Sequence, residues 1–178
     1  GKPVNIFEQP AFTELADKLR TFQKLDDLCI ITQGTKPFQV GKGKPPQTSK
    51  IVSEKPFVSE TPFDETFRPL LRGSLIQKYQ ILWNENYWIS FGDWLAEPRY
   101  SANYEASAKI VIRQTGDHLV ATLDRSQFIV RDNLYTIVSR QNDYDLRFLL
   151  GIINSRLLQW FYSNIINPEI GEALAQVK

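Results

Sequence analysis

The stretch KIVIRQTGDHLVATLDRSQFIVRDNLYTIV, residues 109–138, decides the fold class. It opens on the β-branched run KIVIR. Thr115-Gly116-Asp117 is a turn signal, and LVATL at 119–123 is a second run broken by Asp124-Arg125-Ser126. Phe128, Ile129 and Val130 follow, then Asp132-Asn133, then LYTIV at 134–138. Apolar β-formers bounded by Gly, Asp, Asn and Ser at this spacing predict consecutive strands with tight connections, a meander. The connections carry Arg113, Gln114, Thr115, His118, Arg125, Ser126, Gln127 and Arg131. Hydrogen-bonding side chains held on a rigid sheet suit a reader of nucleic acid or of another polar surface.

Upstream, Phe12, Leu15, Ala16, Leu19, Phe22 and Leu25 share a helical face, and Pro10 suits a first turn, so residues 10–25 are predicted helical. This is either an amphipathic surface helix or one that docks on the rest of a longer protein. LCIIT at 28–32 predicts a short strand. Residues 34–50 hold Lys36, Lys42, Lys44 and Lys50 with no acidic residue, and Gly41, Gly43, Pro37, Pro45 and Pro46 exclude long regular structure. A mobile basic loop of this kind contacts phosphates or is plain solvated surface. Residues 51–69 read as extended, 67–71 and 87–91 as strands, with Arg72 and Lys78 between them and Arg99 beyond. Downstream, Leu146, Leu149, Leu150, Ile153, Leu157, Phe161 and Ile165 share one helical face. Asp143 is its expected cap, Gly151 and Ser155 are small positions for close packing, and Asn167-Pro168 is its stop.

Composition bounds the class. The chain has 178 residues, 42% hydrophobic and 12% aromatic, enough for a real core in one ordinary domain or in one domain with a helical appendage. A net charge of +1 does not announce nucleic-acid binding, although a basic face balanced elsewhere remains open. One Cys, Cys29, excludes an internal disulfide and fits a reducing compartment. No apolar run reaches the roughly 18 residues of a membrane span, so no membrane partner is expected. A chain that lacks Met and begins Gly-Lys-Pro is expected to be a piece of a longer protein, with its tail cut short.

Several chemistries lack their residues. His118 and Cys29 cannot make a usual zinc site, and Cys29 lies in an apolar run rather than beside a base. His118 is a polar reader or a solvated turn residue. No Asp or Glu is followed two positions later by Lys, as nuclease carboxylates often are. Gly41-Lys42-Gly43-Lys44 is not a P-loop, and no Gly-rich turn opens a helix to receive a nucleotide or methyl donor. The Asn/Asp-Pro-Pro-aromatic motif of amino-methyltransferases is absent, so no catalytic residue is assigned.

The order of motifs is informative. RPLLRGSLIQKYQI (68–81), YWISFGDWLAEPRY (87–100), KIVIRQTGD (109–117), ATLDRSQFIVRDNLYTIV (121–138) and DLRFLLGIINSRLLQWFY (145–162) follow in succession. This succession resembles the TaqI-like C-terminal specificity domain, the target-recognition part of restriction-modification enzymes. LLGIINSRLLQWFY is similar to that family's leucine, small, asparagine-serine helix. LDDLCIITQGTKP (25–37) resembles the opening of a recognition domain in type I specificity subunits. The resemblance implies an α/β domain of the α+β type, with a curved, mostly antiparallel sheet and flanking helices. Residues 1–25 would be an N-terminal helix, 26–167 the recognition domain and 168–178 a truncated tail.

It further implies a type IIG or type I-like parent, a bacterial or archaeal cytoplasmic phage-defence enzyme. That parent would be a site-specific DNA adenine methyltransferase, and an endonuclease where it also cuts. S-adenosylmethionine and Mg²⁺ would sit elsewhere in it, with no cofactor or metal in this piece. The expected partners are double-stranded DNA and the parent's methyltransferase and nuclease domains. The family supplies no invariant base readers, so the candidates come from loop chemistry. Arg72, Lys78, Arg99, Arg113, Gln114, Thr115 and His118 are expected at bases or neighbouring phosphates, and Lys36, Lys42, Lys44 and Lys50 at phosphates. The alternative is a protein-protein module of such an enzyme, with its helices docking a partner and its loops inert.

Overall fold

β-branched and aromatic runs form the strands, and those at the centre, β7 (Lys109–Arg113) above all, bury both faces. A computed structural model describes residues 10–114, 118–140 and 144–166. In chain order the elements begin with α1 (Pro10–Arg20), α2 (Leu25–Leu28), β1 (Cys29–Gln33) and α3 (Ser49–Glu54). The strands β2 (Val58–Ser59), β3 (Phe67–Leu71), β4 (Ile76–Gln77), β5 (Gln80–Ile81) and β6 (Trp88–Ser90) follow. Then come β7 (Lys109–Arg113), β8 (Ala121–Asp124), β9 (Ile129–Val130), β10 (Leu134–Ser139), α4 (Leu146–Ile153) and α5 (Arg156–Phe161).

The main sheet has the order β1-β10-β7-β8, antiparallel throughout. A second sheet, β2-β6-β3-β9, is antiparallel except where β3 meets β9. The architecture is α+β, as expected, and neither sheet closes. Val111 belongs to the core shared with Leu70, Leu71, Ile89, Ile129 and Leu134, while its neighbours Ile110 and Ile112 pack with Leu149, Leu150 and Ile153 of α4. A strand covered on both faces needs no polar alternation, which is why KIVI is continuous. Cys29 lies fully buried in the α4-facing core, where burial raises its thiol pKa.

The structure corrects several expectations. The predicted meander is interrupted: β9 leaves the main sheet and pairs in parallel with β3, Leu70 opposite Ile129, before the chain returns as β10. The side chain of Asp124 turns the chain there by accepting the N–H groups of Ser126 (2.7 Å) and Phe128 (3.0 Å). Helix α1 stops at Arg20, because both the N–H and the hydroxyl of Thr21 take the Lys18 carbonyl, and Leu25 starts a separate helix. Residues 49–54 are helical rather than extended, capped by Thr48, whose hydroxyl accepts from the N–H of Ile51.

The predicted long C-terminal helix is two. Asn154 donates to the Ala121 carbonyl (2.9 Å) and accepts its N–H (3.1 Å), pairing with β8 as a strand neighbour would. Ser155 then caps α5, and Asp145 caps α4. Gly151 faces open space, so it serves no close packing. The expected Asp143 cap, the 115–117 turn, the Asn167-Pro168 stop and the 168–178 tail lie outside the described residues.

Candidate nucleic-acid interface

Strand register gathers polar residues at one end of the main sheet. β1 ends at Gln33, opposite Tyr135, and β7 ends at Arg113, opposite Leu134. Gln33, Arg113, Gln114 and the turn at Asp132-Asn133 therefore share that end. β3 finishes beside β9, Leu71 opposite Val130, which brings Arg72 and Arg131 to the same level. Thr35 pairs with Arg131 and Lys36 with Glu97, extending the ladder by two further segments. Gly34 permits this approach, since a Cβ there would lie 2.1 Å from the Arg131 carbonyl oxygen.

Along the rim the side chains are held, not loose. The Arg72 guanidinium lies 4.7 Å from the centre of the Tyr87 ring, and Arg131 donates to the Tyr87 hydroxyl at 3.3 Å. Arg99 adopts a left-handed backbone (φ +48) and donates to Glu97 and, at 2.9 Å, to the Gly34 carbonyl. The Arg99 bond, with the field of Lys36 and Lys42, holds the Glu97 carboxyl below the usual carboxylate range. Lys36 donates to the Gln39 amide oxygen. Gln33 donates to Gln114 (3.0 Å) and to the Asp132 carbonyl (2.9 Å), and the Gln114 N–H donates to the Asn133 carbonyl. The basic side chains Lys36, Lys42, Lys44, Arg72, Arg99 and Arg131 outnumber the carboxylates Asp93, Glu97 and Asp132 on the same segments.

The structure thus brings together Arg72, Arg99, Arg113, Gln114, Lys36 and Lys42 of the expected residues. Arg113 has an inward task there, donating to the Ile76 carbonyl at 2.6 Å. Lys42 and Lys44 are exposed, on a loop that is pinned rather than mobile. Buried Gln47 donates to the Pro37 and Trp94 carbonyls (2.8 Å each) and accepts from the Gln39 N–H, and Lys44 N–H bonds the Asp93 carbonyl. Two candidates lie apart. Lys50 sits on α3 beside Glu54, and Lys78 donates to the Asn154 carbonyl at the α4–α5 corner. His118 is exposed in the β7–β8 connection, and Thr115 lies outside the described residues. Sequence reasoning missed Gln33 and Tyr87 and did not select Arg131. A polar residue closing an apolar run just before Gly34 was the available signal for Gln33.

With this geometry in place, the family comparison is decisive: the model of the TaqI-like C-terminal specificity domain matches residues 68–178. The chain belongs to the TaqI-like C-terminal specificity domain family. This specificity domain serves DNA target recognition in restriction-modification enzymes, a role distinct from catalysis. The match begins at β3, so β1 and the pinned loop lie outside it, yet both are paired into the specificity domain through β10 and Arg131. A comparison with curated proteins finds no match. Among the described residues no group of three or more His, Cys, Asp or Glu is placed to hold a metal ion. No described helix is long and apolar enough to cross a membrane.

Proposed function

We propose that this chain is the sequence-specific double-stranded DNA reader of a type IIG or type I-like restriction-modification enzyme, and that the polar rim is its reading edge. The observation that carries the reading is the convergence of Arg72, Arg99, Lys36 and Gln114, from four separate segments, on one end of a rigid sheet. Lys42 and Lys44 neutralise phosphates and set register, while Arg72, Arg131 and the amides approach base edges. Stacking Arg72 on Tyr87 orders its guanidinium before DNA arrives, which lowers the entropy lost on binding. Methyl transfer to adenine with S-adenosylmethionine, and Mg²⁺-dependent cleavage where the parent also cuts, belong to other parts of a cytoplasmic parent with a role in phage defence.

The test is binding of the parent protein to duplexes of mixed sequence over a salt series. Arg72→Ala should cost about 1–3 kcal/mol and relax choice at one base position. Lys42→Ala should weaken all sequences alike and reduce the salt slope by about 1. Unchanged affinity, selectivity and salt slope in both variants would reject the rim as the reading edge.

A second reading has one observation in its favour. Phe148, Ile152 and Leu157 leave apolar surface exposed on α4 and α5. Here the helices dock a protein partner and the rim is inert, so the parent would show no salt-dependent duplex binding.

A further inference from the structure

Gln33, the last residue of β1, and Gln114, just past the end of β7, are 81 residues apart in sequence and meet through their side-chain amides. Their orientation is dictated by the backbone. The Asp132 carbonyl can only accept, so Gln33 must turn its Nε2 toward it, at 2.9 Å. The same Nε2 then faces Gln114, which must present its oxygen, at 3.0 Å. Both amides are thereby fixed, and the backbone beneath each is fixed too. Gln33 sits in the β1–β10 ladder, and the Gln114 N–H bonds the Asn133 carbonyl. What remains is one acceptor, Gln33 Oε1, and one donor group, Gln114 Nε2, unbonded among the described residues on half-buried side chains.

We propose that the Gln33–Gln114 amide pair reads one adenine through its major-groove edge, Gln114 Nε2 donating to N7 and Gln33 Oε1 accepting from the N6 amino group. The proposal rests on the reading of the rim as a DNA-facing edge. Of the four bases, only adenine offers an acceptor beside a donor there. Guanine offers two acceptors, so its O6 would meet the Gln33 oxygen and be repelled. Thymine offers O4 and a methyl group, and cytosine a donor alone, so each can satisfy one amide at most. Division of the contact between two glutamines locks both rotamers before binding, whereas a lone glutamine is ordered only on contact.

The experiment selects bound duplexes from a randomised pool with the intact parent protein and sequences them. Wild type should require adenine at one position, and Gln33→Leu and Gln114→Leu should each lower the preference at that same position by about 5- to 150-fold. Other positions should keep theirs. A second arm alters the DNA instead: 7-deazaadenine at that position should weaken wild-type binding and leave Gln114→Leu binding unchanged. Three results overturn the inference while DNA recognition stands. These are equal weakening of all sequences, effects of the two variants at different positions, and wild-type indifference to 7-deazaadenine. Failure of the wild-type parent to select any duplex overturns the recognition reading itself, and this inference with it.

Discussion

Lys109 and Asp124 form an ion pair with both side chains fully buried, Nζ to Oδ2 2.7 Å, at the far end of the β7–β8 hairpin from the rim. The two partners are not equally supported. Asp124 also accepts two backbone N–H groups, from Ser126 and Phe128, while Lys109 has, among the described residues, only a 3.5 Å contact to the Tyr104 carbonyl besides. Replacing Asp124 by Asn strands a buried ammonium, which costs about 3–5 kcal/mol. Replacing Lys109 by Met leaves a carboxylate that keeps both N–H bonds, and the cost falls to about 1–3 kcal/mol. In a chain of this size those losses lower Tm by about 6–20 °C and about 2–12 °C.

Removing both charges should recover much of the Asp124→Asn loss, so the double variant should be more stable than that single variant by about 2 kcal/mol. Urea unfolding of the four proteins, followed by tryptophan fluorescence, completes the cycle. Burial pulls the Lys109 pKa below its ordinary value despite Asp124. The unfolded chain therefore holds that proton more tightly. The penalty is fully present below the folded pKa and fades as pH rises through it toward the unfolded one. Lys109→Met should lose this alkaline gain. Additive single effects, or a Lys109→Met loss larger than that of Asp124→Asn, would refute the reasoning.

Three further outcomes are expected. Asn154→Ala takes the partner from the buried Ala121 N–H, while the Ala121 carbonyl keeps the Tyr79 N–H, and should cost about 1–3 kcal/mol in urea unfolding, against about 0.5 for an exposed change such as Lys50→Ala. Gln47→Ala removes the amide that joins Pro37, Gln39 and Trp94, so amide exchange should quicken across residues 36–47 and not in β7. Side-chain bonds from Arg147, with its N–H, hold the Asp145 carboxyl at about 2, down from 3.8. Its stabilisation of the α4 cap is complete above the ordinary value and is lost as pH falls through about 2. A carbon NMR titration of Asp145 should show that midpoint, and Arg147→Ala should raise it.

By itself the sequence determined the class of the fold and the position of most strands. Its apolar runs state which backbone is extended and which faces are buried, and β1, β3, β6, β7 and β10 follow from composition over a few residues. The places of Arg72 and Gln114 just past β3 and β7 were equally legible, since a polar residue closing an apolar run is a local feature. Only the tertiary structure decided where β9 pairs, because that turn depends on Asp124, whose charge is matched by Lys109 fifteen positions earlier. Only it split the C-terminal helix, since the periodicity of 146–165 is unbroken and the bonds of Asn154 reach β8. The basic loop was misread for the same reason: its Gly and Pro content describes local stiffness, and Gln47 anchors it to Trp94 across 47 residues. The pairing of Gln33 with Gln114, and the turning of Arg113 toward Ile76, likewise depend on partners distant in the chain. Hydrophobic pattern is written in neighbours, whereas a polar side chain takes its role from whichever donor or acceptor the folded chain places beside it.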